Sequence, residues 1–166
     1  MPSWTGSAQP FRDWPQWLQR RWRRAQQSGD GFCAEAGAFA QWRPATIDTA
    51  QQALGQFIAG LDDEPDRDGV FISPDNVYAY LLFMCDRGIA IRTIYTRIVY
   101  LYRVARRLWP PKADWHWLAL VSARLSARAR AAPRPRRPFV HMADLYDAGI
   151  AMMDEAAGRD VGLYAA

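Results

Sequence analysis

The stretch IRTIYTRIVYLYRVARRL, residues 91 to 108, carries five arginines and no acidic residue, yet its apolar residues keep helical spacing. Set on a helix at about 100° per residue, Ile94, Ile98, Leu101, Ala105 and Leu108 gather on one side; Arg92, Thr96, Arg103, Arg106 and Arg107 gather on the other. A solvated face normally mixes both signs of charge, because like charges four residues apart cost a few tenths of a kcal/mol. A face of one sign points to an anionic partner, with nucleic-acid phosphates as the first candidate. The chemistry suits the residue types. Arginine grips a phosphate or a guanine edge with two parallel hydrogen bonds, and threonine contacts a base edge or a methyl group.

Other chemistries find less support. Cys33, Cys85, His116 and His141 lack the close-paired spacing of a zinc site, so no metal is expected. Asp62, Asp63, Glu64, Asp66 and Asp68 are interrupted by Pro65 and lack the twelve-residue calcium-loop pattern; a surface turn is the simpler reading. There is no Gly-rich phosphate loop, nucleophile elbow or metal-binding helix motif, hence no expected cofactor or small-molecule substrate. Trp115, His116 and Trp117 read as packing residues rather than base-stacking ones.

The charge is segregated along the chain. The net charge of +4 over 166 residues conceals +3 in residues 1 to 45, −7 in 46 to 86, +12 in 87 to 138 and −4 in 139 to 166. The third block holds thirteen lysines and arginines against the single acid Asp114, which creates a local positive potential that attracts a polyanion. An anionic membrane surface would demand a large exposed apolar stripe beside that charge, whereas the apolar stripes here read as core. The longest apolar run, VYAYLLFMC (77 to 85), is far short of a membrane span, and MPSWTGSAQP lacks the pattern of a signal peptide. The expectation is a cytoplasmic protein with no membrane partner.

The elements that must position the arginines are helices. After WPQWLQRRWRRAQQSGDGF, a short helix or ordering arm, the spacing predicts a first firm helix from near Thr46, with Pro44 as a stop signal before it and Ile47, Ala50, Leu54, Phe57, Ile58 and Leu61 as its stripe. A second runs from the Ser73 cap and Pro74 to Gly88. The arginine-faced segment is the third. A fourth follows Asp114 as N-cap, and PRPRRP (133 to 138) then reads as a stiff basic linker. No segment alternates as a strand. The fold class expected is all-α, a compact bundle of four to five helices.

These segments, in their order, carry a resemblance. RPAT…ALGQFIAGL, ISPDNVYAYLLFMCDRG, IAIRTIYTRIVYLYRVARRL, DWHWL…RL…RARAAPRPRRPF and ADLYDAGIAMMDEA together resemble the N-terminal core-binding domain of tyrosine recombinases, the phage-type integrases, over roughly residues 40 to 157. The resemblance implies a small helical bundle forming half of a clamp around double-stranded DNA. It implies an organisation of an N-terminal arm or extra helix (1–39), a helical core-binding domain (40–132), a basic linker (133–138) and the start of a truncated catalytic domain (139–166). The start of the first firm helix (Arg43, Thr46, Thr49) and the N-terminal half of the third (Arg92, Thr93, Thr96, Arg97) would lie at the major groove. Arg106 and Arg107 match a basic pair placed for phosphate; Arg124, Arg128, Arg134, Arg136 and Arg137 would serve the backbone. Other recombinase protomers on DNA would be partners, and the setting would be bacterial or phage-derived, nucleoid-associated when bound.

Two departures qualify this resemblance. Ala90 stands where many relatives cap the helix with Ser or Thr, a loss of about 1 kcal/mol. The catalytic half needs a nucleophilic Tyr with Arg, Lys and His around the phosphate, and the sequence ends before the first such Arg is expected. Tyr164 has no His nearby and reads as an incidental aromatic. The expectation is therefore DNA binding without catalysis; the alternative is a stand-alone helical protein-interaction or recombination accessory module with a basic surface.

Overall fold

The computed structural model describes residues 4, 6–29, 36–109, 114–133 and 150–151. Among these, a 3-10 turn, Phe11–Asp13, precedes five α-helices: α1 Gln16–Gln26, α2 Pro44–Ile58, α3 Pro74–Asp86, α4 Ile91–Leu108 and α5 His116–Ala131. No strand occurs among the described residues, which are all-α as the spacing predicts. None of the described helices is long and apolar enough to cross a membrane. The chain divides after Ala132 into two units; of the second, only Pro133, Ile150 and Ala151 are described.

Ser73 caps α3 as expected: its Oγ accepts the Asn76 N–H at 3.2 Å, Pro74 occupies the first position, and Gly88 closes the far end with φ +64°. Pro44, by contrast, is a start rather than a stop. It is the first residue of α2, where its fixed φ and missing N–H cost nothing, and Arg43 is the cap residue. Asp114 is also displaced by one position. Its carboxylate does accept the His116 N–H at 2.8 Å, but Trp115 holds the cap position. Ala90 leaves α4 without a side-chain cap.

Helix α4 packs against α1, α2 and α5. Its Ile94, Ile98, Leu101, Val104, Ala105 and Leu108 are all buried, which reproduces the predicted stripe and adds Val104. Those six side chains commit one side of the helix to the core and leave the other no choice but solvent. The segment before residue 40 joins the same core. Leu18, Trp22 and Ala25 of α1 are buried at helical spacing, as is Trp14 one turn earlier.

Much of this core is aromatic and continuous. Phe11, Trp14, Trp22, Phe39 and Trp42 succeed one another with ring centroids 4.4 to 5.4 Å apart, running from the 3-10 turn through α1 to the threshold of α2. A second run links Trp4, Tyr80, Phe57, Phe71 and Trp109 at 5.4 to 6.4 Å. Such spacings favour edge-to-face and offset contacts, adding about 0.5–1.5 kcal/mol per pair beyond the area buried. Trp4 enters from the N-terminal strap, where its Nε1–H donates to the Phe57 carbonyl at 2.9 Å, and a Cβ at Gly60 would collide with its indole. Trp115 is buried and Trp117 packs against the core, as their packing reading required, whereas His116 between them is exposed and is not a packing residue.

The uncapped start of α4 gives a first prediction. Ala90 has the extended backbone of a cap residue (φ −55°, ψ 134°), so Ala90→Ser should accept an orphan N–H of the first turn and add about 1 kcal/mol. A thermal melt by circular dichroism is expected to rise by a few degrees.

Candidate nucleic-acid interface

The surface left by the packing of α4 is the centre of the candidate site. Arg92, Thr93, Thr96, Arg103, Arg106 and Arg107 are exposed, and no carboxylate among the described residues pairs with an arginine of this helix. Arg107 is held in place: its guanidinium lies 4.9 Å from the Trp42 ring centroid, at the end of the first aromatic run. Partial burial lowers its pKa, and repulsion from Arg103 and Arg106 lowers it further. Arginine remains a cation at neutral pH, so the shift records partial burial and crowded like charge rather than neutralisation. Arg103 lies 5.5 Å over the Tyr100 ring. Arg92 reaches the Ala132 carbonyl at 3.3 Å and so helps close the C-terminal end of α5.

The start of α2 lies near the end of α4 that carries Arg107. Trp42 stands two residues before Pro44, so its stack with Arg107 puts Arg43 and the start of α2 beside the C-terminal end of α4. Arg92, Thr93 and Thr96 begin at the opposite end, and the fifteen-residue rise from Arg92 to Arg107 is about 22 Å. The basic side chains thus mark two corners joined by the outer face of α4. Arg43 is exposed, whereas Thr46 and Thr49 are half-buried.

Arg97 does not belong to either corner. It is half-buried, and its guanidinium lies close to the Tyr80 hydroxyl on α3, because a residue five positions after Arg92 has turned by about 140° toward the core side. Tyr80 is fully enclosed, its hydroxyl makes no well-formed hydrogen bond, and burial raises its pKa while Arg97 opposes that rise.

Comparison with protein families, curated proteins and solved structures gives no match. The site therefore stands on its own geometry. Arg124 and Arg128 are exposed on α5, and Arg134, Arg136 and Arg137 lie outside the described residues. Sequence reasoning passed over Arg20, Arg23 and Arg24, exposed on α1, and Arg130 near the end of α5. The signal was present in RRWRR, residues 20 to 24, but without a firm helix for that segment no face could be assigned to it. Arg21 of the same cluster is spoken for: it donates to the Arg67 carbonyl at 2.7 Å and lies 5.4 Å over Trp109.

The acidic segment behaves as a turn. The Asp66 carboxylate accepts the backbone N–H groups of Asp68, Val70 and Phe71 at 2.6 to 3.0 Å, which closes the loop between α2 and α3. Among the described residues no group of three His, Cys, Asp or Glu side chains is disposed to hold a metal ion.

Tyr80 yields a pH prediction. With its folded pKa above the ordinary value of 10, the unfolded chain loses this proton first as pH rises, so the stability owed to the neutral phenol is intact below pH 10 and is lost above it. In Tyr80→Phe that contribution is absent. Melting temperatures measured from pH 8 to 11 are expected to fall less steeply for Tyr80→Phe than for the wild-type chain.

Proposed function

We propose that the first unit binds duplex DNA through the outer face of α4 and the basic corners at its two ends, as the core-binding half of a tyrosine recombinase does, and that it does so without catalysing strand exchange. The observation that carries this reading is the unneutralised arginine face. Arg92, Arg103, Arg106 and Arg107 share one exposed side of a rigid helix with no paired acid among the described residues, an arrangement that loses helix stability unless a polyanion relieves it. The half-clamp assignment rests on helix order and the motif resemblance. On the same reading the chain works in the cytoplasm, and further recombinase protomers on DNA are its protein partners.

One observation favours the alternative of a protein-interaction module. Tyr78 and Leu82 lie one turn apart on α3, exposed at 64% and 46%, an apolar pair that DNA binding does not use. Salt dependence separates the two readings, since counterion release from DNA gives a steep slope and an apolar protein contact does not.

Titration of a labelled duplex at 50 and 200 mM salt is expected to show weak, strongly salt-dependent binding. Arg103→Ala and Arg106→Ala should each lower the salt slope by about one unit on any sequence. Arg92→Ala should also reduce discrimination between a selected and a random duplex, a base contact being worth roughly 1–3 kcal/mol. Affinity that is flat across salt would overturn the reading. Incubation with a nicked duplex is expected to give no covalent protein-DNA adduct, and an adduct through Tyr164 would overturn the non-catalytic assignment.

A further inference from the structure

The outer face of α4 is not uniformly charged. On its centre line, at helical angles within about 40° of Arg92, lie Thr96 and Val99, followed by Arg103. Val99 is half-buried but is not among the apolar residues packed on the core, and a β-branched side chain on an outward helix position has poorer propensity than Ala, Leu or Lys. Neither packing nor helix formation explains it.

Thr96 sharpens the point. Its hydroxyl donates to the Arg92 carbonyl one turn back at 2.9 Å, so the hydroxyl hydrogen is already committed. What the exposed side chain still offers is a methyl group and an acceptor lone pair. Thr96 and Val99 are three residues apart, close enough for their methyl groups to form one small apolar step, with Arg92 a turn before it and Arg103 a turn after it. Thr49 on α2 is tied in the same way, donating to the Ala45 carbonyl at 2.7 Å.

An apolar step between two arginines has a restricted set of partners on duplex DNA. Phosphates and the edges of guanine, cytosine and adenine present polar atoms; in the major groove the apolar group is the C5-methyl of thymine. Resting on the duplex-DNA reading above, we infer that Thr96 and Val99 form a methyl-reading step that selects a thymine at the base pair facing the middle of α4. The flanking Arg92 and Arg103 set the register, and the step supplies the sequence preference. Thr96 acts through its methyl and not its hydroxyl, which separates this contact from hydrogen-bond readout.

The test starts with a duplex selected by the protein from a randomised 20-base-pair pool. Each thymine of the selected duplex is then replaced in turn by uracil, which removes the C5-methyl and nothing else. One position is expected to lose about fourfold in affinity, the equivalent of one buried methyl group at about 0.8 kcal/mol. Thr96→Ser keeps the hydroxyl and its bond to Arg92 but lacks the methyl, so it should bind thymine and uracil duplexes alike at that position with an unchanged salt slope. Val99→Ala should shrink the difference, and Thr96→Val, which keeps a methyl and drops the hydroxyl, should preserve it. Placing 5-methylcytosine paired with guanine at the same step tells whether the methyl is read alone, in which case affinity is retained, or together with its A·T pair, in which case it falls; both results sustain the methyl contact. Uracil tolerated at every position, or a thymine preference that survives Thr96→Ser and Val99→Ala, overturns the inference while leaving duplex binding intact. A pool that yields binding without any preferred sequence does the same. Absence of duplex binding at low salt removes the DNA reading itself.

Discussion

The arrangement of α4 follows from one constraint: six apolar side chains on one side of an eighteen-residue helix must all leave water. Burying them takes three neighbours, and α1, α2 and α5 supply them. Once that is done, the arginines are fixed in the opposite direction along a rod whose φ/ψ angles are set by the same packing. The basic surface is thus a rigid feature of the core's geometry rather than a property of flexible loops, and the ends of α2 and α5 acquire their positions relative to it through α4.

What could be read in the sequence was what depends on local periodicity. The α4 stripe, the Ser73 cap with Pro74 behind it, and the all-α class each need only neighbours within about four residues, and each was legible. Pro44 was misread because proline signals both the end of one element and the first turn of the next, and the deciding feature, an extended Arg43, belongs to the backbone. Arg97 was placed at the major groove by the resemblance, although its angle around the helix turns it toward Tyr80. The relation between α2 and α4 was not legible at all. It depends on Trp42 meeting Arg107, a contact between residues 65 positions apart that no periodicity encodes.

The aromatic runs explain how a small helical unit keeps so many tryptophans from being interchangeable grease. Each ring meets the next at a defined angle, from the near-parallel Phe39 and Trp42 at 16° to the near-perpendicular Trp14 and Trp22 at 84°. Each run also meets arginine: Arg23 over Phe11 and Arg107 over Trp42 on the first, Arg21 over Trp109 on the second. An arginine braced on a ring has fewer rotamers to lose than one waving in water, so part of the entropy of binding an anion is already settled in the free protein.

The Trp4 strap has a consequence for how the molecule opens and closes. Its bond to the Phe57 carbonyl joins residues 53 apart, whereas contacts within each helix join near neighbours. With α1 and α2 already packed, the strap is held by the Trp4 indole and a few backbone bonds, such as Gln9 N–H to the Gly55 carbonyl at 3.0 Å. The strap is therefore the piece whose ordering depends on the helices but on which the helices depend least. With few bonds of its own it belongs to the low-stability end of the molecule's opening reactions, and is expected to be released before α2 and α3 separate.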